Sequence, residues 1–291
     1  MGEPMLGIIG GSGLGQALGA LGGTPTRVDT PFGAPSGPLL VTELEGVRVA
    51  LLARHGEGHV LNPTRVPSRA NIYALKTLGV THVLASAAAG SLHEDVRPRE
   101  LLIPDQVIDR TYRRPSTFFE DISVHVEFAV PFCPTLRSVL LGLPSEVKVH
   151  PRGTYVCMEG PQFSTRAESE LHRSWGADLI GMTLLPEAKL AREAELCYAA
   201  VCLPTDYDCW RPTPDDLDKH ALLREIVGNL QAATAAALAL IRRAVPAIRT
   251  LGAAPCHCQA ALDQAIWTDR TRIPDDVRSR LRLLLGRALE S

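Results

Sequence analysis

The chain has 291 residues, of which 45% are hydrophobic and 21% are charged, as in ordinary globular proteins. Its formal net charge of −2 argues against the strongly basic surfaces that bind nucleic acid or anionic membranes. Residues 1–6 lack the features of a signal peptide, and no apolar run reaches the roughly 18 residues of a membrane span. We therefore expect a cytoplasmic protein that acts on small molecules, with no nucleic-acid or membrane partner.

Short apolar segments alternate with helical patterns along the chain, which indicates an α/β fold. The predicted strands are 6–9, 49–53, 82–89, 101–108 (interrupted by Pro104), 153–158, 179–182 and 197–203. The predicted helices are 70–78, 186–194, 214–244 (with room for a break) and 277–289. Glycine-rich and polar segments repeatedly follow the strands, where α/β folds usually bind their ligands.

The first predicted strand runs into Gly10-Gly11-Ser12-Gly13. Such a loop offers several backbone N–H groups and the Ser12 hydroxyl to an oxyanion such as phosphate. A plain turn explains the glycines equally well. Gln16 occupies the last position of a G-x-G-x-x-G pattern, which counts against a dinucleotide-binding reductase.

Polar residues also end the second and sixth predicted strands. Arg54 and His55 offer a cation and a second donor, which suit an anion, although a solvated loop has the same residues. His59 alone is more typical of a structural or solvated histidine. Thr183, after Met182, offers a hydroxyl to an anion or caps the next helix.

Thr205-Asp206-Tyr207-Asp208 follows the last predicted strand. If the backbone stays extended, Asp206 and Asp208 share a face and both meet the polar edge of a base. The alternative is an Asp-rich turn or a helix cap. Phe163, in the polar segment 159–166, either stacks on a base or fills the core.

Seven cysteines are an odd number, and most lie in apolar context, which favours reduced thiols in a cytoplasmic core. Cys256-His257-Cys258 is the exception. Two thiols so close rarely complete a tetrahedral site alone, so we expect a local disulfide or a structural role there and no metal.

Taken together, these segments resemble the methylthioadenosine phosphorylases, within the nucleoside phosphorylase superfamily. The matching segments are GIIGGSG (7–13), DTPFGAPS (29–36), LLARHGEGH (51–59), RANIYALK (69–76), AAAGSL (87–92), FCP (132–134), EGPQFSTRAES (159–169), GADLIGMTLLPEA (176–188) and PTDYDCW (204–210). They keep the family's order and rough spacing to about residue 248. No single motif carries the resemblance.

The resemblance implies one α/β domain with a mixed, barrel-like central sheet flanked by helices. It implies a phosphorylase domain at 1–248, a helical extension at 249–291 packed on it, and a homotrimer or dimer of trimers. It assigns phosphate binding to Ser12, Arg54, His55, Ala87, Ala88 and Thr183. It assigns substrate binding to His59, His125, Phe163, Ser164, Met182, Asp206, Asp208, Leu223 and Ile226. No cofactor is expected, because inorganic phosphate is the co-substrate.

Within that resemblance, each group has a chemical reason. Phosphate stabilises a ribosyl group with cationic character and then captures C1′. A protonated Asp206 in a dry pocket, with a raised pKa, donates a proton to purine N7. An acid also suits the 6-amino group of adenine, whereas relatives that use 6-oxopurines tend to have Asn there. Leu223 and Ile226, three residues apart, match apolar residues at the 5′ end of the substrate, where ordinary helix burial is the alternative. His125 matches a residue that reaches the neighbouring subunit's site.

Three positions depart from the family pattern. Ala87 replaces a Thr or Ser, Pro67-Ser68 replaces Asn-Tyr, and Gly181 replaces an Asn. The sequence predicts phosphorolysis of S-methyl-5′-thioadenosine. The alternatives are a nucleoside phosphorylase of broader or 6-oxopurine preference, a nucleosidase that uses water, and a silent nucleoside-binding protein.

Overall fold

A mixed sheet of eleven strands runs through the chain in the computed structural model, which describes residues 5–211, 219–251 and 256–290. The strands are Met5–Gly10 (β1), Thr24–Thr26 (β2), Leu39–Leu44 (β3), Val47–Ala53 (β4), Val80–Ser91 (β5), Leu101–Leu102 (β6), Gln106–Arg110 (β7), Val149–His150 (β8), Thr154–Met158 (β9), Leu179–Gly181 (β10) and Cys197–Asp206 (β11). The helices are Leu14–Gly19 (α1), Ser68–Thr77 (α2), Pro134–Leu141 (α3), Arg166–Ser174 (α4), Glu187–Glu193 (α5), Lys219–Leu251 (α6), Asp275–Arg280 (α7) and Arg282–Glu290 (α8). The predicted class, a mixed sheet flanked by helices, is confirmed.

The sheet branches at β5, the longest strand. Along the main path the order is β2-β3-β4-β1-β5-β10-β9-β7, and β11 pairs with both β5 and β6. Strands β4, β1, β5 and β11 are parallel neighbours, whereas β10 is antiparallel to the end of β5. The carboxyl ends of the four parallel strands therefore meet at one edge of the sheet. The antiparallel pairing places Leu179 beside Ser91 and Ile180 beside Gly90.

Both faces of the sheet are covered, so its strands are apolar on both sides. Successive residues of β1 and β5 alternate between two apolar clusters: Ile9 and Ala85 belong to one, Ile8 and Leu84 to the other. Helices α2, α5, α7 and α8 pack on the first face, and α1, α3 and α6 on the second. Within the described residues, no helix is both long and apolar enough to cross a membrane.

The predicted elements are present, with three differences in their limits. Pro104 separates β6 from β7, since proline has no N–H to donate to a ladder. The helix predicted at 277–289 is divided into α7 and α8. Helix α6 continues through Pro246 to Leu251, beyond its predicted end, while residues 214–218 of that prediction lie outside the described residues.

Residues 256–290 lie against the body of the fold. The carboxylate of Glu195, which follows α5, accepts hydrogen bonds from Leu262 N–H and from the Arg287 guanidinium. Val277, Leu281 and other apolar side chains of this segment join the apolar cluster that contains α2. This packing joins the C-terminal segment to the face of the sheet that carries α5.

Candidate active site

The glycine loop after β1 is fixed by close contacts that exclude side chains. A Cβ at position 11 would lie 2.6 Å from Arg54 Nη1, and one at position 13 would lie 2.4 Å from Thr234 Oγ1 on α6. Gly13 also has a φ of +80°, which glycine adopts readily. Gly11 N–H donates to Ser86 Oγ on β5 at 3.1 Å. The loop is therefore held between β5 and α6, with Ser12 partly exposed.

Arg54, directly after β4, is 1% exposed and paired with Glu187 at the start of α5. Its Nε and Nη2 each donate to one carboxylate oxygen at 2.8 Å, and Nη1 donates to Ser86 O at 2.7 Å. Burial alone would lower the pKa of Arg54, but the charge and hydrogen bonds of Glu187 outweigh it and raise the pKa. A guanidinium has five N–H donors, so two remain for a ligand.

His55 is buried beside Arg54 and is neutral at neutral pH. Burial, followed by the charge of Arg54, lowers the pKa of His55 to about 4. Its Nδ1 lies 2.8 Å from Leu61 O, and because a carbonyl only accepts, Nδ1 carries the proton. The neutral ring therefore presents Nε2 as an acceptor. His59 is exposed and stacks on this ring at a centroid distance of 4.2 Å.

Asp206 is the last residue of β11 and lies beside Asp208 and Gly90. Of the two conformations that the sequence left open, the turn is the one present, because the strand ends at Asp206 and Asp208 has a φ of +49°. The two acids still meet, since Asp208 N–H donates to Asp206 Oδ1 at 2.8 Å. Burial is the main cause that raises the pKa of Asp206, although hydrogen bonds from Thr205 and Asp208 act in the opposite direction.

A Cβ at position 90 would lie 3.2 Å from Asp206 Oδ1 and 3.2 Å from Asp208 Cβ. Gly90 therefore allows the acids to approach β5 closely. Further back on this strand, Ala87 is 1% exposed and Ala88 is partly exposed. Both predicted alanines thus lie on the strand that separates the acids from the glycine loop.

The end of β10 explains one departure from the family pattern. A Cβ at position 181 would lie 1.9 Å from the Tyr155 hydroxyl, so Tyr155 occupies the space that a side chain would need. Thr183 N–H approaches the same hydroxyl at 3.5 Å. Met182 packs on Gly160, where a Cβ would lie 2.4 Å from the Met182 sulfur. These contacts join β10 to the loop after β9.

Arg114 holds that loop from the other side. It donates to Met182 O at 2.6 Å, to Leu185 O at 2.8 Å and to Glu159 Oε1 at 3.1 Å. Burial would raise the pKa of Glu159, but hydrogen bonds from Thr64, Tyr112 and Arg114 outweigh it and lower the pKa to about 2. The Arg114–Glu159 pair therefore stays charged and fixes the loop.

Two predicted residues of the 159–166 segment lie beyond this anchor. Phe163 is 85% exposed, so the alternative that it fills the core is wrong. Ser164 lies closer to the acids, because its carbonyl accepts from the Cys209 thiol at 3.4 Å. Phe163 is therefore an exposed aromatic side chain on a loop that reaches the Asp206–Asp208 turn.

The first part of α6 carries the predicted 5′ residues. Asn229 is buried and fastens the helix to β11, because its Nδ2 donates to Thr205 O at 2.8 Å. Ile226 lies one turn earlier on the same face and is partly buried. Leu223 is 60% exposed, so ordinary helix burial does not explain it. Both side chains thus lie beyond the end of β11.

His125 lies on the surface against the C-terminal segment. The backbone N–H of His125 donates to Ala265 O at 2.9 Å, and its ring packs edge-on against Trp267 with centroids 5.0 Å apart. Within the described ranges, it forms no hydrogen bond with the other predicted site residues. Contacts within the same chain therefore hold His125 in place but do not connect it to the strand ends.

Known proteins are similar to this chain over almost its whole length. The family model of the Phosphorylase superfamily matches residues 5–246. An S-methyl-5′-thioadenosine phosphorylase of Geobacter sulfurreducens is 47% identical over 288 residues, which cover 98% of this chain and 99% of the relative. The one from Synechocystis sp. is 49% identical, covering 97% of this chain and 87% of the relative. The chain belongs to the phosphorylase superfamily.

Solved structures of this superfamily share the fold. A methylthioadenosine phosphorylase from an antarctic soil metagenomic library has a TM-score of 0.85 and 43% identity, covering 98% of this chain and all of its own. The Schistosoma mansoni methylthioadenosine phosphorylase in complex with adenine has a TM-score of 0.79 and 31% identity, covering 97% of this chain and 98% of its own. In both cases the structural similarity therefore extends over nearly the whole chain, including its C-terminal segment.

Sequence reasoning missed the partners that fix the site of this superfamily member. Glu187, Ser86 and Arg114 are essential to the geometry above, yet none was singled out. Asn71, in the matching segment 69–76, is also buried and hydrogen-bonds to Ser36, whose hydroxyl donates to Arg54 O. Helix α4 was missed although Thr165 and Glu168 form a capping box, which the spacing of Thr and Glu announces.

Proposed function

We propose that this chain catalyses the phosphorolysis of S-methyl-5′-thioadenosine to adenine and 5-methylthioribose 1-phosphate. The chain is an enzyme, a pentosyltransferase of the phosphorylase superfamily, and it acts on a small-molecule nucleoside. The observation that carries the proposal is that Arg54, with two N–H donors that the described residues do not use, and the partly buried Asp206 lie at the same edge of the sheet. The arginine suits the attacking anion, and the acid suits the leaving base.

In this proposal, phosphate binds between the glycine loop, Arg54, His55, Thr183 and the 87–88 segment of β5. Arg54 supplies its remaining N–H donors, and Ser12 and Thr183 supply hydroxyl groups. Neutral His55 accepts a hydrogen bond at Nε2 from a protonated phosphate oxygen, since its Nδ1–H is used by Leu61 O. Phosphate then stabilises the developing positive charge at C1′ and forms the new C1′–O bond.

The leaving adenine is activated by Asp206. The raised pKa of Asp206 favours the protonated carboxyl group, and that proton passes to N7 as the C1′–N9 bond breaks. Asp208 accepts a hydrogen bond at the purine edge, and Phe163 and Ser164 cover the base. Met182 packs against the ribose. His59 and, from a neighbouring subunit, His125 complete the substrate contacts.

The apolar 5′ group binds to Leu223 and Ile226 at the start of α6. Their position beyond Asn229, which is fastened to the end of β11, supports this assignment. We also propose a homotrimer or a dimer of trimers, no cofactor or metal in the catalytic site, and a cytoplasmic location. The large exposed side chains Val60, Tyr112 and Trp267 support a subunit interface.

Product analysis tests the proposal. We expect free adenine from S-methyl-5′-thioadenosine only when phosphate is present, with 5-methylthioribose 1-phosphate formed in equal amount. Parallel reactions with adenosine and with methylthioinosine measure the preference for the 5′ group and for the base. Equal release of adenine in phosphate-free buffer, with free methylthioribose as product, would replace the proposal by a nucleosidase.

A further inference from the structure

Four cysteine side chains that the proposed reaction does not use meet at one point of the fold. These are Cys133, Cys197, Cys256 and Cys258, which we call the four-cysteine cluster. Cys197 begins β11, whereas Asp206 ends it, so the cluster lies roughly 30 Å from the acids along the strand. Cys133 precedes α3, and the other two begin the C-terminal segment.

The sulfur positions fit a metal site. All four Sγ atoms lie within 4.8 Å of one another, and those of Cys133 and Cys256 are 3.7 Å apart. Four thiolates at the corners of a tetrahedron, each about 2.3 Å from zinc, are separated by about 3.8 Å. A disulfide would need a separation of about 2.05 Å. Cys133 and Cys197 therefore supply two further ligands beside the Cys-x-Cys motif, which the sequence alone did not reveal.

The four-cysteine cluster is largely enclosed by the fold. Three members of the four-cysteine cluster are buried, and Cys256 is partly exposed, which leaves an entry path for an ion.

We propose that the four-cysteine cluster binds one zinc ion as a structural tetrathiolate site. The ion joins the C-terminal segment to α3 and β11, because two ligands come from each side of that junction. The same segment carries Ala265 and Trp267, which contact His125. Zinc thus holds in place the segment that contacts His125, the residue assigned to the neighbouring subunit's site. The inference rests on the sulfur geometry and is independent of the proposed reaction.

Metal analysis of the full-length protein tests the site. The protein is purified under reducing conditions without a histidine tag, and its zinc content and intact mass are measured. We expect about one zinc per chain, retained on dialysis against EDTA, and the mass of seven free thiols. Replacement by cobalt(II) should give the thiolate charge-transfer bands of a tetrahedral site. Protein without zinc after incubation with zinc, or a mass lowered by disulfide formation, overturns the proposal.

Two alanine variants separate this site from zinc bound elsewhere. Cys258→Ala should lower the zinc content from about one per chain to almost none. Cys202→Ala, a buried cysteine of the same strand as Cys197 but outside the cluster, should retain it. If Cys258→Ala does not fold, the cobalt spectrum of the wild type still decides between thiolate and other ligands. Equal zinc content in both soluble variants, or a cobalt spectrum without thiolate bands, would contradict the assignment.

Discussion

At the residue scale, we expect the carboxyl group of Asp206 to act both as an acid and as a hydrogen-bond acceptor toward the base. Asp206→Asn removes the proton donor and presents an amide N–H₂ in its place. We expect the rate on S-methyl-5′-thioadenosine to fall about 10²- to 10⁴-fold, the usual contribution of a general acid. We expect a smaller loss on methylthioinosine, because the amide donates to a 6-oxo group.

The measurement is kcat/KM for both nucleosides with saturating phosphate, so that the ratio reports base preference. The melting temperature of the variant serves as the control for folding. Wild-type rates on both substrates would remove Asp206 from the base edge. Equal losses on both would leave the acid role and refute the proposed discrimination between 6-amino and 6-oxo groups.

The contrast between Arg54 and Glu187 shows how far residue patterns reach. Arg54 was predicted as an anion ligand because it follows an apolar strand. Its partner is 133 positions away in the chain, so no local pattern links the two. The pair is visible only after β4 and α5 are packed together. Gly181 is similar, since its departure from the family pattern is explained by Tyr155 on the neighbouring strand.

At the scale of elements, Glu187, the first residue of α5, positions the guanidinium of Arg54 at the end of β4. Glu187→Gln leaves the guanidinium of Arg54 buried without a counter-charge, because both side chains are 1% exposed. Breaking a buried pair in this way costs about 3–5 kcal/mol. We expect a lower melting temperature and a weaker hold on the orientation of Arg54, seen as a raised phosphate KM.

Phosphate itself distinguishes this positioning role from a purely structural one. Because phosphate that binds more weakly stabilises the folded state less, the same phosphate concentration should raise the melting temperature less in Glu187→Gln than in the wild type. Glu195→Gln is the matched control, because it breaks a Glu–Arg pair with Arg287 away from the strand ends. A phosphate-induced shift in Glu187→Gln as large as in this control would contradict the assignment.

At the scale of the whole molecule, the alternation of apolar strands and helices was enough to predict the class and most elements. The branch at β5 was not predictable, because local hydrophobic pattern does not specify which of the distant strands β1, β10 and β11 pair with β5. At Asp208 the local sequence left an extended and a turn conformation open, and packing on Gly90 selects the turn. The four-cysteine cluster likewise needs three distant segments.

The stability of the whole molecule should depend on pH through Glu193 at the end of α5. This side chain is 6% exposed and accepts hydrogen bonds from Phe118 N–H and the Thr117 hydroxyl, each at 2.7 Å. Burial raises the pKa of Glu193 from 4.5 to about 7, although these hydrogen bonds act in the opposite direction. Folding therefore favours the protonated form.

The sign of the effect follows from linkage between protonation and folding. A raised pKa in the folded state contributes stability that is complete below about pH 4.5 and is lost as pH rises through about 7. Glu193→Gln keeps the neutral shape at every pH and avoids that loss. We expect the variant and the wild type to melt at similar temperatures at pH 5, and the variant to melt several degrees higher at pH 8. The shift corresponds to a free energy of unfolding on the order of 3 kcal/mol. Glu170→Gln, at an exposed position of α4, should show no such divergence, and parallel melting curves for all three proteins from pH 5 to 8 would show that Glu193 does not titrate in this range.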